Sequence, residues 1–371
     1  MVELLQHHFR GLVQIVGSYY WIIGILLMFI KTPRSEEYRA YRLAQRLLAV
    51  YFFAMSTNLY AWGVLFKGNW NSLDPVLGCI DVTFFYLSSI FMAYCISTIL
   101  NKDYITRRKV IKDFVSWAVA AGIAWASLIP VFKPYSVYLF ALSLFLYIEV
   151  VVRFFYRFHC MYANLRRMLD NYFSEDMNRF TIWLKRSLLL LILSGVLAVL
   201  TWFYGVYFNW FFQIYVVTVN IYLAIEFFNY RELYGKLNAC SVVKAEEIND
   251  MQEKMSADNF DILYGEKVDR WVEDKKYLLQ QLTIEDLAAE LGTNKAYLSR
   301  YINGKYAVTF TTWITSLRIE EAKLYMKSHP DVKQEDVALH SGFSSSSYFS
   351  RVFSRVEGKT PVVWRKQQTE N

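Results

Sequence analysis

Seven stretches of this 371-residue chain are almost continuously apolar: 12–30, 47–66, 76–100, 114–132, 135–152, 187–207 and 209–228. Each approaches the ~20 residues that carry a helix across ~30 Å of hydrocarbon. Several of them hold no charged residue, for instance 12–30 and 187–207. Buried helices of a water-soluble core keep a polar face, and these runs keep none. They predict a bundle of about seven transmembrane helices in an all-α protein. Pro33, Pro75, Pro130 and Pro134 fall in or beside the gaps, where a missing N–H costs least. Only Arg10 precedes the first run as a basic residue, and no small-residue cleavage site follows it. The run therefore reads as a span and not as a cleaved leader.

Beyond residue 230 the pattern changes. Residues 231–255 are polar and helix-prone, with Leu233, Leu237, Cys240, Ile248, Met251 and Met255 at gaps that slip in the middle. A short dimerising helix and a solvated linker helix fit this pattern equally. Residues 259–282 set Trp271, Tyr277 and Leu278 among charges, as the lead-in helix of a further domain would. Three regions result: a membrane domain over 1–230, a helical connector over 231–280 and a C-terminal domain over 281–371.

The C-terminal domain repeats itself. Leu287-Ala288-Ala289-Glu290-Leu291-Gly292 is followed by Tyr297-Leu298-Ser299-Arg300-Tyr301-Ile302. Val337-Ala338-Leu339-His340-Ser341-Gly342 is followed by Tyr348-Phe349-Ser350-Arg351-Val352-Phe353, the same string 51 residues later. The spacing fits two helix-turn-helix units. Ala288 and Ala338 let a second helix cross closely, and Gly292 and Gly342 supply the backbone of a tight turn. Leu298 with Ile302, and Phe349 with Phe353, are four apart and face inward. Arg300 and Arg351 then point outward. Asn294 and either Ser344 or Ser345 suit the N-caps. Residues 310–327 carry Phe310, Trp313, Ile314, Leu317, Leu324 and Tyr325 at helical spacing, which predicts one long helix joining the units, stopped by Pro330.

Charge adds an orientation. The chain is 55% hydrophobic and 18% aromatic, with 40 basic and 33 acidic residues and a net charge of +7. Disorder is excluded by that composition, and a disulfide framework by the 4 cysteines. Residues 1–230 hold 20 basic and 12 acidic residues (net +8), 231–259 hold 4 and 6 (net −2), and 260–371 hold 16 and 15 (net +1). The excess thus belongs to the apolar part. Segments 31–46, 101–112 and 153–186 carry 17 basic residues, whereas the alternate set carries only Arg10, Lys67 and Lys133. By the positive-inside rule the N-terminus lies outside and the C-terminal domain in the cytoplasm, which an odd number of spans satisfies. The predicted location is a bacterial cytoplasmic membrane.

The C-terminal quarter resembles the AraC/XylS family of bacterial transcription regulators. The resemblance covers about 281–366. It rests on Leu287-Ala288, Tyr297-Leu298-Ser299-Arg300, Phe310, Leu317-Arg318-Ile319-Glu320-x-Ala322, Gly342-Phe343, Ser347-Tyr348-Phe349-Ser350-Arg351-x-Phe353 and Gly358-Lys359-Thr360-Pro361. It implies two units reading successive major-groove segments of double-stranded DNA. Carried over by position, the base contacts would be Lys295, Ala296, Ser299 and Arg300, then Ser346, Ser347 and Arg351. Asn294 stands where the family usually has Ser, and Asn303-Gly304-Lys305 replaces a longer Phe-Lys segment. Apart from the family, Arg can pair bidentately with guanine. Lys305, Arg318, Arg355, Lys359, Arg365 and Lys366 suit phosphate contacts, which position without specifying.

Within the spans, ionisable residues are few: Asp81, Glu149 and Glu226, with Asp113 at an edge. Asp81 sits near the outer end of span three, as a signal site or as an interfacial carboxylate. Glu149 is four residues before Arg153, a pairing distance on one helix face. Tyr19, Tyr20, Trp62, Trp70, Trp202, Tyr207 and Trp210 lie toward the outer side, lining a pocket or forming an interfacial belt. No phosphate-binding or dinucleotide-binding glycine motif occurs, and His7-His8 and His159-Cys160 lack partners at zinc spacing. No enzymatic activity and no cofactor are expected. The expected protein is a membrane-embedded, one-component transcription regulator whose partners are DNA, the bilayer, a small-molecule or membrane signal and a second copy of the chain. A transporter-like protein with a DNA-binding tail, and spans that only tether, are the other two readings.

Overall fold

A computed structural model of the chain describes residues 2–65, 74–174, 178–201, 206–250 and 257–369. Among them no strand forms, and the one extended pairing is an isolated antiparallel bridge between Phe173 and Thr283. The chain divides into two compact units, Met1–Ala163 with Ile182–Ala239 and Asn164–Thr181 with Cys240–Asn371.

The first unit is built from α1 (Val2–Phe29), α2 (Arg39–Leu65), α3 (Pro75–Leu100), α4 (Arg107–Ala126), most of α5 (Ser136–Tyr172), α6 (Asn178–Leu200) and the start of α7 (Val206–Asp250). Each of the seven apolar runs is thus helical over most of its described residues. By length and composition, six helices among the described residues can cross a membrane, and α4 is not one of them. Its first turns hold Arg107, Arg108, Lys109, Lys112 and Asp113, leaving only 114–126 apolar. That is about 20 Å of helix, short of the hydrocarbon core.

Two helices outrun their apolar segments. α5 continues to Tyr172, giving 37 residues or about 55 Å, where a loop was expected from 153. No Gly or Pro interrupts 153–172, so nothing local stops the helix. α7 runs 45 residues, about 68 Å, through the first half of the expected connector.

Polar side chains tie the apolar helices together, as they do where no water competes. Tyr51 on α2 donates to Asn220 Oδ1 on α7 (2.8 Å), and Asn220 donates to the Tyr20 hydroxyl on α1 (3.1 Å). Arg153 pairs with Glu149 at 2.8 Å, as their spacing predicts. Cys79 and Cys95 are free thiols packed in the interior. The outward face is apolar instead: Val137 is 75% exposed and Tyr138 74%. Of the outer aromatics, Tyr20 is buried and Tyr19 exposed. Trp70 and Trp202 lie outside the described residues, as do Lys67, Met251 and Met255.

The second unit holds α8 (Ala257–Glu273), α9 (Ile284–Leu291), α10 (Lys295–Tyr306), α11 (Phe310–Ser328), α12 (Gln334–His340), α13 (Ser346–Glu357) and α14 (Pro361–Thr369). It has two cores, and α11 serves both. Phe310, Trp313 and Ile314 enter the first with Trp271, Leu287, Leu298 and Ile302. Ile319, Ala322 and Met326 enter the second with Val337, Phe349 and Phe353. The apolar face thus turns partway along the helix. Leu324, which fits the first register, is 61% exposed as a result.

One glycine is held by this packing. Gly342 has φ +77°, and a Cβ there would sit 2.5 Å from the Leu278 carbonyl oxygen. Both the left-handed backbone and the contact exclude a side chain. Gly342→Ala is expected to lower the stability of the second core by about 2 kcal/mol or more. Hydrogen exchange of the α12 and α13 amides would read the loss, and unchanged protection would refute it.

Candidate nucleic-acid interface

The two repeated strings form two turns of the same geometry. In the first, Thr283 and Asp286 make a capping box at the start of α9. The helix ends at Gly292 with φ +71°, and the Thr293 amide donates back to the Ala288 carbonyl at 2.9 Å. In the second, α12 is followed by Gly342, and the Phe343 amide donates to the Ala338 carbonyl, also at 2.9 Å. Left-handed glycine lets the chain reverse while satisfying the last carbonyls of the first helix. Asn294 then caps α10 by accepting from the Tyr297 amide (2.9 Å). Ser345, not Ser344, caps α13 by accepting from Tyr348 (3.2 Å). The extra residue of the second unit lies in the turn.

Helical spacing then sorts each second helix into faces. Leu298, Ile302, Phe349 and Phe353 are fully buried, as the repeat predicts. Arg300 and Arg351 are exposed, each with its guanidinium over the ring three residues earlier, 5.4 Å from Tyr297 and 5.8 Å from Tyr348. The repeated Tyr-x-Ser-Arg order thus holds both arginines in the same way. Ser347 is exposed, and Ala296, Ser299 and Ser346 are half-buried on the same faces. Gln334 on α12 donates to Ser346 Oγ (3.2 Å) and also to Ser350 Oγ, steadying the start of α13.

Two expected contacts need correction. Arg318 is fully buried, so in this structure it does not face a phosphate. Its Nε donates to the Tyr277 carbonyl (2.8 Å) and its Nη2 to the Leu279 carbonyl (2.6 Å). It lies where α11 passes between the two cores, and satisfies the carbonyls of the turn that leads in from α8. Lys295 is 8% exposed. Its ammonium sits 3.8 Å from Glu285 Oε1 and 5.6 Å from the centre of the Tyr172 ring, so in this structure it does not face outward.

Other basic residues are partly committed. Lys305 donates to Asp261 Oδ1 (2.7 Å) and to the Tyr301 hydroxyl (2.8 Å), linking α10 to α8. That contact raises the Lys305 pKa, and donation by Lys305 and then Tyr301 holds Asp261 below the usual carboxylate range. Arg365 donates to the Pro330 and Val332 carbonyls (3.1 and 2.6 Å), and Lys359 to Gln367. Arg355 and Lys366 are exposed. His340 stacks on Tyr325, ring centres 3.8 Å apart, in a packing role.

The cover over Lys295 is the element no local pattern announces. Residues 164–174, the last turns of α5 and its exit, belong to the second unit. Thr311, at the start of α11, donates to the Asp170 carbonyl (2.6 Å) and to the Phe173 carbonyl. The Ser174 amide donates to the Leu282 carbonyl (3.0 Å), and the Tyr172 hydroxyl to Glu285. Leu165 and Leu169 are buried. This arm grips the N-terminal ends of α9 and α11, and its Tyr172 covers the first residue of α10.

Comparison with known proteins agrees with these turns. A family profile described as a helix-turn-helix domain matches residues 287–367. Over 95 residues the chain is 30% identical to the regulatory protein PocR of Salmonella typhimurium (strain LT2), covering 26% of this chain and 31% of that one. Over 95 residues it is 32% identical to an HTH-type transcriptional regulator of Staphylococcus aureus, covering 25% of this chain and 13% of that one. The chain thus spans under a third of the length of either relative, and the profile match lies outside the apolar part. No solved structure matches. The C-terminal segment is therefore a helix-turn-helix domain homologous to those of transcriptional regulators.

Proposed function

We propose that this chain is a membrane-embedded, one-component transcription regulator that reads two successive major-groove segments of DNA. The observation that carries this reading is the repeated turn, with one exposed arginine on each second helix at the same step. Helix-turn-helix units present the second helix to the groove, and exposed arginine there reads guanine. Ser299, Ala296, Ser346 and Ser347 stand beside the arginines as further base contacts. Arg355, Lys359, Lys305, Arg365 and Lys366 serve as phosphate contacts, the partly committed ones by exchanging partners.

The apolar helices hold this reader at the cytoplasmic face. The basic starts of α2, α4 and α6 and the basic end of α5 fall on one side only if α4 also crosses, with the other six. Seven crossings follow, with one face of the short α4 packed on its neighbours at Ala120 and Ala124, both fully buried. The membrane part acts as a sensor. Its signal reaches the reader along α7 and also along α5, whose arm covers Lys295. Binding of a signal shifts the population in which the arm is released.

The full chain in lipid nanodiscs should enrich one motif from a random duplex library, with protection over two consecutive major-groove segments. Failure to enrich any motif would overturn the reading. Tyr172→Ala and Thr311→Val, which loosen the arm, should each raise affinity for that motif several-fold. Unchanged affinity in both would leave α7 as the only route.

A further inference from the structure

The first unit holds a partly open cavity of about 460 Å³ that the DNA-binding reading does not use. Its walls are apolar and aromatic, including Tyr20, Phe85, Tyr147 and Phe212. Asp81 lines one end. It is 5% exposed, so its carboxylate is covered by protein.

Two neutral donors hold this carboxylate, both from α2. Asn58 Nδ2 lies 3.0 Å and Trp62 Nε1 2.7 Å from Asp81, and both reach the same oxygen, Oδ1. Residues 58 and 62 are one turn apart, so α2 presents the pair as a fixed fork. None of the ion pairs among the described residues includes Asp81.

The cavity's own basic side chains, Arg153 and Arg157, stand at its other end. α3 and α5 run parallel in register here: Phe140 packs with Cys79 and Val82, and Tyr147 bonds Ser89 at 3.1 Å. Arg153 lies six residues past Tyr147, and Asp81 eight before Ser89. Those 14 residues amount to about 20 Å of helix. A carboxylate so placed, in a medium of low dielectric, favours a cation beside it. Aromatic rings along the cavity favour the same charge.

We propose that this cavity binds an apolar organic amine, with its ammonium against Asp81 Oδ2 and its apolar body along the aromatic walls. Asp81 is near the start of α3, on the side away from the basic segments, so the amine enters from the outer side of the membrane. This deepens the sensor reading above and rests on it only for the direction of entry.

The test uses the full chain in nanodiscs, with tryptamine as the cationic probe and tryptophol, its hydroxyl counterpart, as the neutral one. Empty discs give the lipid background. Saturable tryptamine binding is expected, at least tenfold tighter than tryptophol. Asp81→Asn should weaken tryptamine at least tenfold and leave tryptophol within about twofold. Asp81→Glu, which keeps the charge, should retain the preference for the amine and so separate lost binding from lost folding. No saturable amine binding, equal affinity for the two probes, or an unaltered preference in Asp81→Asn would each overturn the proposal. A transcriptional reporter distinguishes the two levels. Amine binding without a reporter response sinks the sensor reading alone, and a membrane-dependent response without amine binding sinks the site alone.

Discussion

Replacing Arg300 and Arg351 together by Ala should abolish sequence-specific DNA binding by the full chain. Each arginine is expected to contribute about 1–3 kcal/mol of discrimination at a guanine. They lie on different helices served by different cores, so their losses should add. The double variant would then bind its selected motif roughly thirtyfold to twenty-thousandfold more weakly. Binding to unrelated duplex should change little, because phosphate contacts supply most of it. Both side chains are exposed, so the fold should tolerate the change. Titrating wild-type and variant against the motif and a scrambled duplex at fixed salt reads both quantities. Undiminished preference for the motif would remove α10 and α13 from base reading.

Arg318→Ala is expected to act through stability. Its guanidinium is fully buried and donates to two carbonyls of the turn before α9. Truncation leaves those acceptors without their donor and opens a gap where α11 passes between the cores. Two buried carbonyls left unpaired, at about 1–3 kcal/mol each, make an expected loss of about 2–6 kcal/mol. Amides of α9 and α11 should lose protection in hydrogen exchange by a corresponding factor. A phosphate contact would behave otherwise: exchange would be unchanged, and the slope of log affinity against log salt would fall by about one. That second pattern would show that Arg318 leaves the interior when DNA binds.

These three arginines show where sequence pattern is sufficient and where it is not. Arg300 and Arg351 occur twice in one register, each flanked by apolar residues at i−2 and i+2, so helical periodicity alone turns them outward. Arg318 lies in a helix whose apolar face changes direction. Counting from Phe310 and Trp313 places it at the edge of that face, and only the second core, at Ile319, Ala322 and Met326, encloses it. Lys295 likewise begins a recognition helix in the expected place, yet Tyr172, distant in sequence, covers it.

The sequence by itself determined the helical class, the apolar runs, the side bias of the basic residues and the two turns with their caps. All of these depend on residues within one or two turns of each other, or on composition summed along a run. The tertiary structure decided the rest. It extended α5 past its apolar run and docked its end on the DNA-reading unit. It placed Arg318 inside, and gathered Asn58, Trp62 and Asp81 at one end of a cavity. Each of these is a meeting of segments far apart in the chain. Such meetings follow from how whole helices pack, and no local spacing of apolar and charged residues encodes them.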